Sequence, residues 1–231
     1  MRRIREIECL YYKIYLSRKN FILLIISLLS IVLVSYFSLN LGFNEEEFSF
    51  IKNTYIQEYL ESTSNFIMIL NCAIIPVISL LELKEESTTI NYILIPRVTR
   101  ETLNFAKLIS IIKIAIYYTI MELLIVGIFP LIFYPDFCLK ISYLRICLFI
   151  ILYSCFNVVI INLSIKIIKT FIVGAIPIII YLILNIIKDN EWGKKFLPIL
   201  IIDNQNLIFF QPVIVLFIAI IILSLLYLIK K

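Results

Sequence analysis

Few residues in this sequence could do chemistry, and most of them lie inside apolar stretches. The chain of 231 residues contains no His, which removes the commonest general base and the commonest zinc ligand. One carboxylate, Glu122, stands in the middle of a long apolar run. A lone carboxylate in such a place fits three roles: a contact for a cationic substrate, a proton site, or a buried hydrogen bond between helices.

Small polar residues in later apolar stretches form a second group. Ser154 and Asn157 are three residues apart and therefore share one face of a helix, and Asn185 follows in the next apolar stretch. Such residues pack helices closely or line a polar path between them. The candidates for a translocation path are Glu122, Ser154, Asn157 and Asn185.

Motifs for catalysis and metal binding are missing. The five Cys form no C-x-x-C pair, and there is neither an H-E-x-x-H motif nor a G-x-x-x-x-G-K-[ST] phosphate loop. Glu122 has no second carboxylate within its apolar run. We therefore expect no enzymatic activity, no metal site and no cofactor bound by this chain.

The composition indicates the solvent in which the chain folds. It is 62% hydrophobic and 16% charged, with a mean hydropathy of +1.03, whereas a soluble domain is about half apolar and a quarter charged. Too little polar surface remains to face water, so lipid is the expected surrounding. Because the alternating pattern of a barrel strand is absent, the sequence predicts an all-α integral membrane protein.

The apolar stretches define the predicted spans. A membrane-spanning helix needs about 20 mostly apolar residues, and six segments come near that length in what we interpret as a single transmembrane domain over residues 1–231. The predicted spans are 21–39, 64–83, 109–133, 143–165, 171–187 and 209–229.

The basic residues predict the orientation. With the N-terminus in the cytoplasm, 15 of the 21 Lys and Arg residues lie on the inner side, as cytoplasmic loops of membrane proteins require. The sequence therefore predicts that both termini are cytoplasmic. The net charge of +5 is accounted for by this asymmetry and gives no reason to expect nucleic acid as a partner.

Three further segments are not spans. Residues 1–20 have apolar residues at helical spacing and several basic residues, which favours an amphipathic helix in the inner interface. Residues 84–106 form a densely charged cytoplasmic loop, in which Thr99 is expected to cap a helix that continues into the third span. Residues 188–208 are too apolar for a solvated loop and too short to span, which predicts a re-entrant segment on the outer side.

The 84–106 loop and the predicted topology together resemble the permease subunits of ABC-2 type ABC transporters. That family has an acidic residue, a Gly-Thr pair, a Leu-rich stretch, a Pro, an Arg and, seven residues later, a Lys. In this sequence Ser87 stands at the glycine position, and the arginine follows the proline by four residues, where the family more often has three. The residues that match are Glu85, Thr88, Ile93, Leu94, Pro96, Arg100 and Lys107.

The resemblance implies a function and partners. It implies a permease subunit that exports an amphipathic or hydrophobic substrate, such as an antimicrobial peptide, a drug or a lipid-like molecule, across a bacterial cytoplasmic membrane. ATP and Mg²⁺ would bind to a separate ATPase subunit, and a second permease chain, identical or different, would complete the transporter. The expected ATPase-coupling residues are Glu85, Glu86, Thr88, Pro96, Arg97, Arg100 and Lys107.

Other classes of function remain open on the sequence alone. The chain is also compatible with a channel or carrier that works without ATP, or with an accessory membrane protein that transports nothing. A carrier coupled to ions is less favoured, because intramembrane charges are few and no inverted repeat is evident.

Overall fold

The described part of the chain consists of helices. The computed structural model describes residues 7–9, 11, 15–40, 48–85, 99–133, 141–168, 170–187 and 210–229, and within them there is no strand. The elements are α1 (Arg18–Asn40), α2 (Phe48–Glu85), α3 (Arg100–Phe133), α4 (Ile141–Ile168), a 3-10 helix (Phe171–Ala175), α5 (Ile176–Ile187) and α6 (Phe210–Ile229).

Four of these helices are long and apolar enough to cross a membrane by length and composition: Asn20–Leu39, Ser62–Leu80, Glu101–Phe133 and Ile146–Ile168. They overlap the first four predicted spans, and the prediction of an all-α membrane protein is confirmed at this level. The apolar parts of α5 and α6 are shorter, at Ile172–Ile183 and Val213–Ile229. The predicted re-entrant segment at 188–208 lies outside the described residues.

Two apolar cores follow one another along the bundle. We call the first the terminal core, because it includes residues near both chain termini; its buried members are Ile7, Tyr11, Tyr15, Leu24, Ile74, Ile75, Ile78, Leu103, Ala106, Leu108, Ile111, Ile114, Ala115, Tyr118, Val158, Val159, Ile161, Ile165, Val173 and Tyr227. The second is the distal core, whose buried members are Ile31, Leu39, Tyr59, Leu60, Ile67, Met68, Cys72, Leu123, Val126, Tyr143, Phe149, Ile150, Tyr153, Tyr181 and Leu216.

The order of core residues along the chain gives the direction of each helix. On α1 the terminal core comes first, at Leu24, and the distal core follows, at Ile31. On α2 the order is reversed, and it reverses again at each later helix, ending with Leu216 before Tyr227 on α6. The helices therefore alternate in direction, and the described residues nearest the two termini lie at the same end of the bundle.

The helices differ in how much of their surface the protein covers. Within their apolar windows, 61% of the α2 residues are buried in the protein but only 28% of the α1 residues. Large apolar side chains such as Ile26 and Leu33 on α1 are more than half exposed, as expected for a helix that faces lipid. α2 and α4 form the centre of the bundle, and α4 packs against α2, α3 and α6.

The N-terminal segment packs on the beginning of α3. The Ser110 hydroxyl donates to the backbone carbonyl of Glu8 at 3.1 Å, and the Lys113 ammonium forms an ion pair with the Glu8 carboxylate. Tyr11 and Tyr15 stack on each other and are buried in the terminal core. These contacts hold the N-terminal segment against the helix that follows the charged loop.

Two other contacts define the terminal end of the bundle. Thr99 Oγ1 accepts a hydrogen bond from the Thr102 N–H at 3.4 Å, next to the first residue of α3, which confirms the expected cap. On the other side, Lys166 Nζ lies 3.9 Å from the centroid of the Tyr227 ring and donates to the Tyr227 carbonyl at 2.7 Å. This second contact ties the end of α4 to the end of α6.

Candidate functional site

A layer of polar side chains separates the two apolar cores. We call it the polar centre; it consists of Asn71 on α2, Thr119 and Glu122 on α3, and Ser154 and Asn157 on α4. All five side chains are fully buried. On each of the three helices these positions lie between residues of the distal core and residues of the terminal core, so the layer crosses the middle of the bundle.

Asn71 joins the three helices of the polar centre. Its side-chain amide donates to Thr119 Oγ1 at 3.4 Å and to Ser154 Oγ at 3.1 Å. Thr119 in turn donates to Ser154 Oγ at 3.0 Å, and Ser154 donates to the Ile150 carbonyl of its own helix at 3.0 Å. Every hydrogen of these three side chains that can form a hydrogen bond is therefore engaged.

A softer contact extends the polar centre towards the next turn of α4. The Asn157 amide donates to Cys72 Sγ at 3.5 Å, and the Cys72 thiol lies 3.8 Å from the Tyr153 hydroxyl. The carbonyl oxygens of Asn71 and Asn157 are both buried without a hydrogen-bond partner. These two unpaired atoms are hydrogen-bond acceptors.

Glu122 adds two more unpaired acceptors. Both of its carboxyl oxygens are buried without a hydrogen-bond partner. The Tyr118 hydroxyl and the Asn71 amide approach the carboxyl closely enough to interact with it, but neither completes a hydrogen bond to it. Glu122 is also the only Asp, Glu, Lys or Arg among the buried residues in the described part of the chain.

Two hydrogen bonds between hydroxyl and carbonyl groups link the residue one turn before this carboxyl to the first helix. The Tyr118 hydroxyl donates to Ser27 Oγ at 2.5 Å, and Ser27 Oγ donates to the Leu24 carbonyl at 2.7 Å. Tyr118 lies one helical turn before Glu122 on α3, whereas Ser27 and Leu24 belong to α1. Tyr118, next to the polar centre, therefore ties α3 to a fourth helix.

Beside Tyr118, a small apolar crevice opens between α2 and α3. It is lined by Ile75, Ile78, Ile111, Ile114, Ala115 and Tyr118. All of these belong to the terminal core, so the crevice lies between the polar centre and the terminal end of the bundle. Its walls are aliphatic apart from the Tyr118 phenol. The crevice therefore combines apolar surface with one hydroxyl group, which lies near the Glu122 carboxyl.

The predicted translocation residues come together only in part. The structure places Glu122, Ser154 and Asn157 in one layer, while Asn185 lies on α5, where its side chain is outside the described part. The candidates predicted from the sequence included neither Thr119 nor Asn71. Two signals were present: Thr119 precedes Glu122 by three residues, and an amide inside an apolar span seeks a partner on another helix.

Three of the seven predicted coupling residues are described, and they lie at the terminal end. Glu85 is the last residue of α2 and Arg100 the first of α3, and Lys107 is half-buried on α3. Glu86, Thr88, Pro96 and Arg97 lie outside the described residues. The end of α2 and the beginning of α3 thus lie at the terminal end, on the side where the N-terminal segment also packs.

Within the described residues, no group of three or more His, Cys, Asp or Glu side chains could hold a metal ion. Comparison with known proteins gives no relative: no family model, no curated protein and no solved structure matches this chain.

Proposed function

We propose that this chain is the membrane-spanning subunit of an ATP-driven exporter of the ABC-2 type, resident in a bacterial cytoplasmic membrane. The observation that carries transport is the polar centre, a layer of five buried polar side chains across the middle of an apolar bundle. Polar groups are costly in lipid and face a bundle interior where a path for solutes can form. The assignment to this transporter class rests on the charged 84–106 segment and its resemblance to the family.

Six spans are part of the proposal. The 3-10 helix and α5 together run from Phe171 to Ile187, which corresponds to about 28 Å at about 2.0 and 1.5 Å per residue. α6 has 20 residues, or about 30 Å. Both lengths approach the hydrocarbon thickness of about 30 Å, and the alternating helix directions are those of a chain that crosses six times.

In this proposal the terminal end is cytoplasmic. The excess of basic residues on that side supports it. The 84–106 segment then docks on an ATPase subunit, and a movement of that subunit reaches the polar centre through α2 and α3. A second permease chain and the re-entrant 188–208 segment complete the transporter.

The crevice favours an amphipathic substrate. Separation of α2 from α3 would widen an aliphatic groove that ends at Tyr118, the residue one turn before Glu122. Such a groove accepts an apolar chain, while the phenol at its end and the carboxyl near it accept a polar group. Alternating access would then expose this groove first to the cytoplasmic side and later to the outer side.

The partner is tested by co-purification. We expect an ATP-binding-cassette gene beside the coding sequence, and we expect its product to co-purify with this chain from detergent extracts. Replacement of Glu86 and Arg100 by Ala should abolish co-purification and substrate-stimulated ATP hydrolysis, because the charge-assisted contacts of the loop are lost. Lys52→Ala, on the side predicted to be outer, is the matched control and should leave both unchanged. Undiminished assembly of the double variant would contradict the coupling assignment.

The orientation is tested by labelling. In a background in which the five native cysteines are replaced, single cysteines at Lys52 and Thr99 should differ in their reaction with a membrane-impermeant maleimide on intact cells. Lys52→Cys should react and Thr99→Cys should react only after the membrane is opened. The reverse pattern would place the terminal end outside and remove the charged loop from the reach of an ATPase.

A further inference from the structure

The donors around Glu122 are already used by other acceptors. Both amide hydrogens of Asn71 are engaged by Thr119 and Ser154, and the Tyr118 hydroxyl hydrogen is engaged by Ser27. No Lys or Arg lies among the buried described residues. An ionised carboxylate at this position would therefore have neither a donor nor a counter-ion among these side chains, a state that protein interiors avoid by neutralising the group.

A neutral carboxylic acid, in contrast, is itself a donor. The Tyr118 hydroxyl has given its hydrogen to Ser27, but its oxygen still has lone pairs that can accept, and it lies next to the Glu122 carboxyl. A proton on Glu122 can thus extend the chain by one link, in the direction in which the existing links already run: Tyr118 to Ser27, and Ser27 to the Leu24 carbonyl.

We infer that Glu122 is a proton-binding site, and that the bound proton sets the direction of the hydrogen-bond chain that joins α3 to α1. With the proton in place, Glu122 donates to Tyr118, and Tyr118 donates to Ser27. When water reaches the carboxyl, the proton passes to a water molecule and leaves a carboxylate. The Tyr118 hydroxyl then turns to donate to that carboxylate, and Ser27 loses its donor. This inference does not depend on the proposed function.

The other titratable groups nearby do not replace Glu122 as the proton site. Among the described residues of α3 and of the helices packed against it, the other buried titratable groups are Tyr118 on α3, Tyr59 and Cys72 on α2, Tyr143, Tyr153 and Cys155 on α4, and Tyr227 on α6. Two of these phenols donate to carbonyls of α3: Tyr59 to Val126 and Tyr143 to Leu123. Within its described residues α1 has no buried titratable side chain, and its Ser27 hydroxyl accepts from Tyr118. Thiols and phenols are neutral at neutral pH without any help from the protein, so the carboxyl is the group whose charge can change.

The proton thereby affects packing as well as charge. The Tyr118–Ser27 bond is a polar link between α3 and the more lipid-exposed α1, and Tyr118 also lines the crevice between α2 and α3. Release of the proton would weaken the hold of α3 on α1 and reorient the phenol at the crevice. A molecule that brings water or a basic group into the crevice would produce the same change.

Infrared spectroscopy of the full-length chain in lipid vesicles tests the inference directly. A protonated carboxyl group has a C=O stretching band that a carboxylate lacks, and solvent-exposed Asp and Glu are ionised at neutral pH. We expect such a band at neutral pH. It should shift when the chain is labelled with carboxyl-¹³C glutamate, which requires no substitution, and it should be lost in Glu122→Gln. Absence of an isotope-sensitive band at neutral pH would overturn the proton site.

Two conservative variants test the direction of the chain. Tyr118→Phe removes the acceptor of the Glu122 proton, so the band should move to the higher frequency of a carboxyl without a hydrogen bond. Ser27→Ala removes the next link only, and it should move the band less. A band at the wild-type position in Tyr118→Phe would overturn the donor chain, even with the proton site intact.

Discussion

Glu8 packs against α3 and Glu122 belongs to it, and the two carboxyl groups differ in their exposure to water and in their partners. Glu8 comes from the N-terminal segment, and its carboxylate is partly exposed and paired with the ammonium of Lys113, which is about half exposed. Glu122 lies nine residues after Lys113 on α3, or about 13.5 Å further along. It is fully buried, and no Lys or Arg is among the buried residues that the structure describes. Neutral hydrogen bonds connect the helices around Glu122, whereas a charge pair fastens the segment that carries Glu8.

The comparison shows how access to water selects the chemistry of a contact. Near water, a charged pair is cheap to keep because solvent still reaches both groups, and for the same reason it contributes little. In the dry middle of the bundle, neutral amides and hydroxyls bond between helices without the cost of burying a charge. A carboxyl group can join that layer only as a neutral acid.

The largest effect on the free energy of unfolding is expected at Asn71, which joins three helices in the polar centre. Asn71→Ala removes two hydrogen bonds between helices, each contributing about 0.6–1.7 kcal/mol. Asn162→Ala is the matched control, because Asn162 is also buried and its amide donates only to the Val158 carbonyl of its own helix. The free energy of unfolding should fall by about 1–2 kcal/mol more in Asn71→Ala than in the control. The measurement is unfolding by SDS in mixed micelles, followed by circular dichroism; equal losses would show that the layer does not hold the bundle together.

A smaller effect is expected at the partly exposed pair. Lys113→Met keeps the apolar stem and removes the charge, so the free energy of unfolding should fall by up to about 1 kcal/mol at low salt. The difference from wild type should shrink as salt is added, because ions screen exposed charges. Glu101→Gln is the control, since this exposed residue of α3 forms no ion pair with any described residue. A salt-independent loss would mean that Lys113 acts through packing instead of charge.

The smallest effect on the free energy of unfolding is expected at Glu122. Glu122→Gln replaces a neutral acid by a neutral amide of the same shape, so the free energy of unfolding at neutral pH should change by less than about 0.5–1 kcal/mol. The same SDS titration measures it. A loss of several kcal/mol would mean that the wild-type group is a carboxylate held by a cation, and the contrast with Glu8 would then disappear.

Composition and periodicity were sufficient for the helices but not for their contacts. Runs of apolar residues predicted the apolar parts of α1, α2 and α4 to within a few residues. Two helices begin well before their predicted spans: α2 at Phe48 and not at residue 64, and α3 at Arg100 and not at residue 109. A polar, capped beginning such as Thr99 to Lys107 does not appear in a search for apolar runs. The capping residue itself was predictable, because Thr favours that position for a local reason.

The polar centre was predictable in part for a similar reason. Glu122, Ser154 and Asn157 stand out in apolar sequence, and the i, i+3 spacing places the latter two on one face. Which helices meet is decided by packing over the whole bundle, so neither the pairing of Asn71 with Thr119 nor that of Tyr118 with Ser27 could be predicted from the sequence. The contact of Glu8 with Lys113, more than a hundred residues away, was hidden for the same reason.

The two helices beside the crevice differ in stiffness. From Arg100 to Glu122, α3 is an unbroken helix of about 33 Å, and its one internal proline, Pro130, comes only after the carboxyl. α2 carries Pro76 inside it, next to the crevice residue Ile75, and a proline removes a backbone hydrogen bond and allows a bend. α3 is therefore the stiffer helix over this stretch, and α2 is the one that can bend, at Pro76. A force acting where α2 ends and α3 begins would therefore pass along α3 with little deformation, whereas α2 would bend at Pro76, beside the crevice.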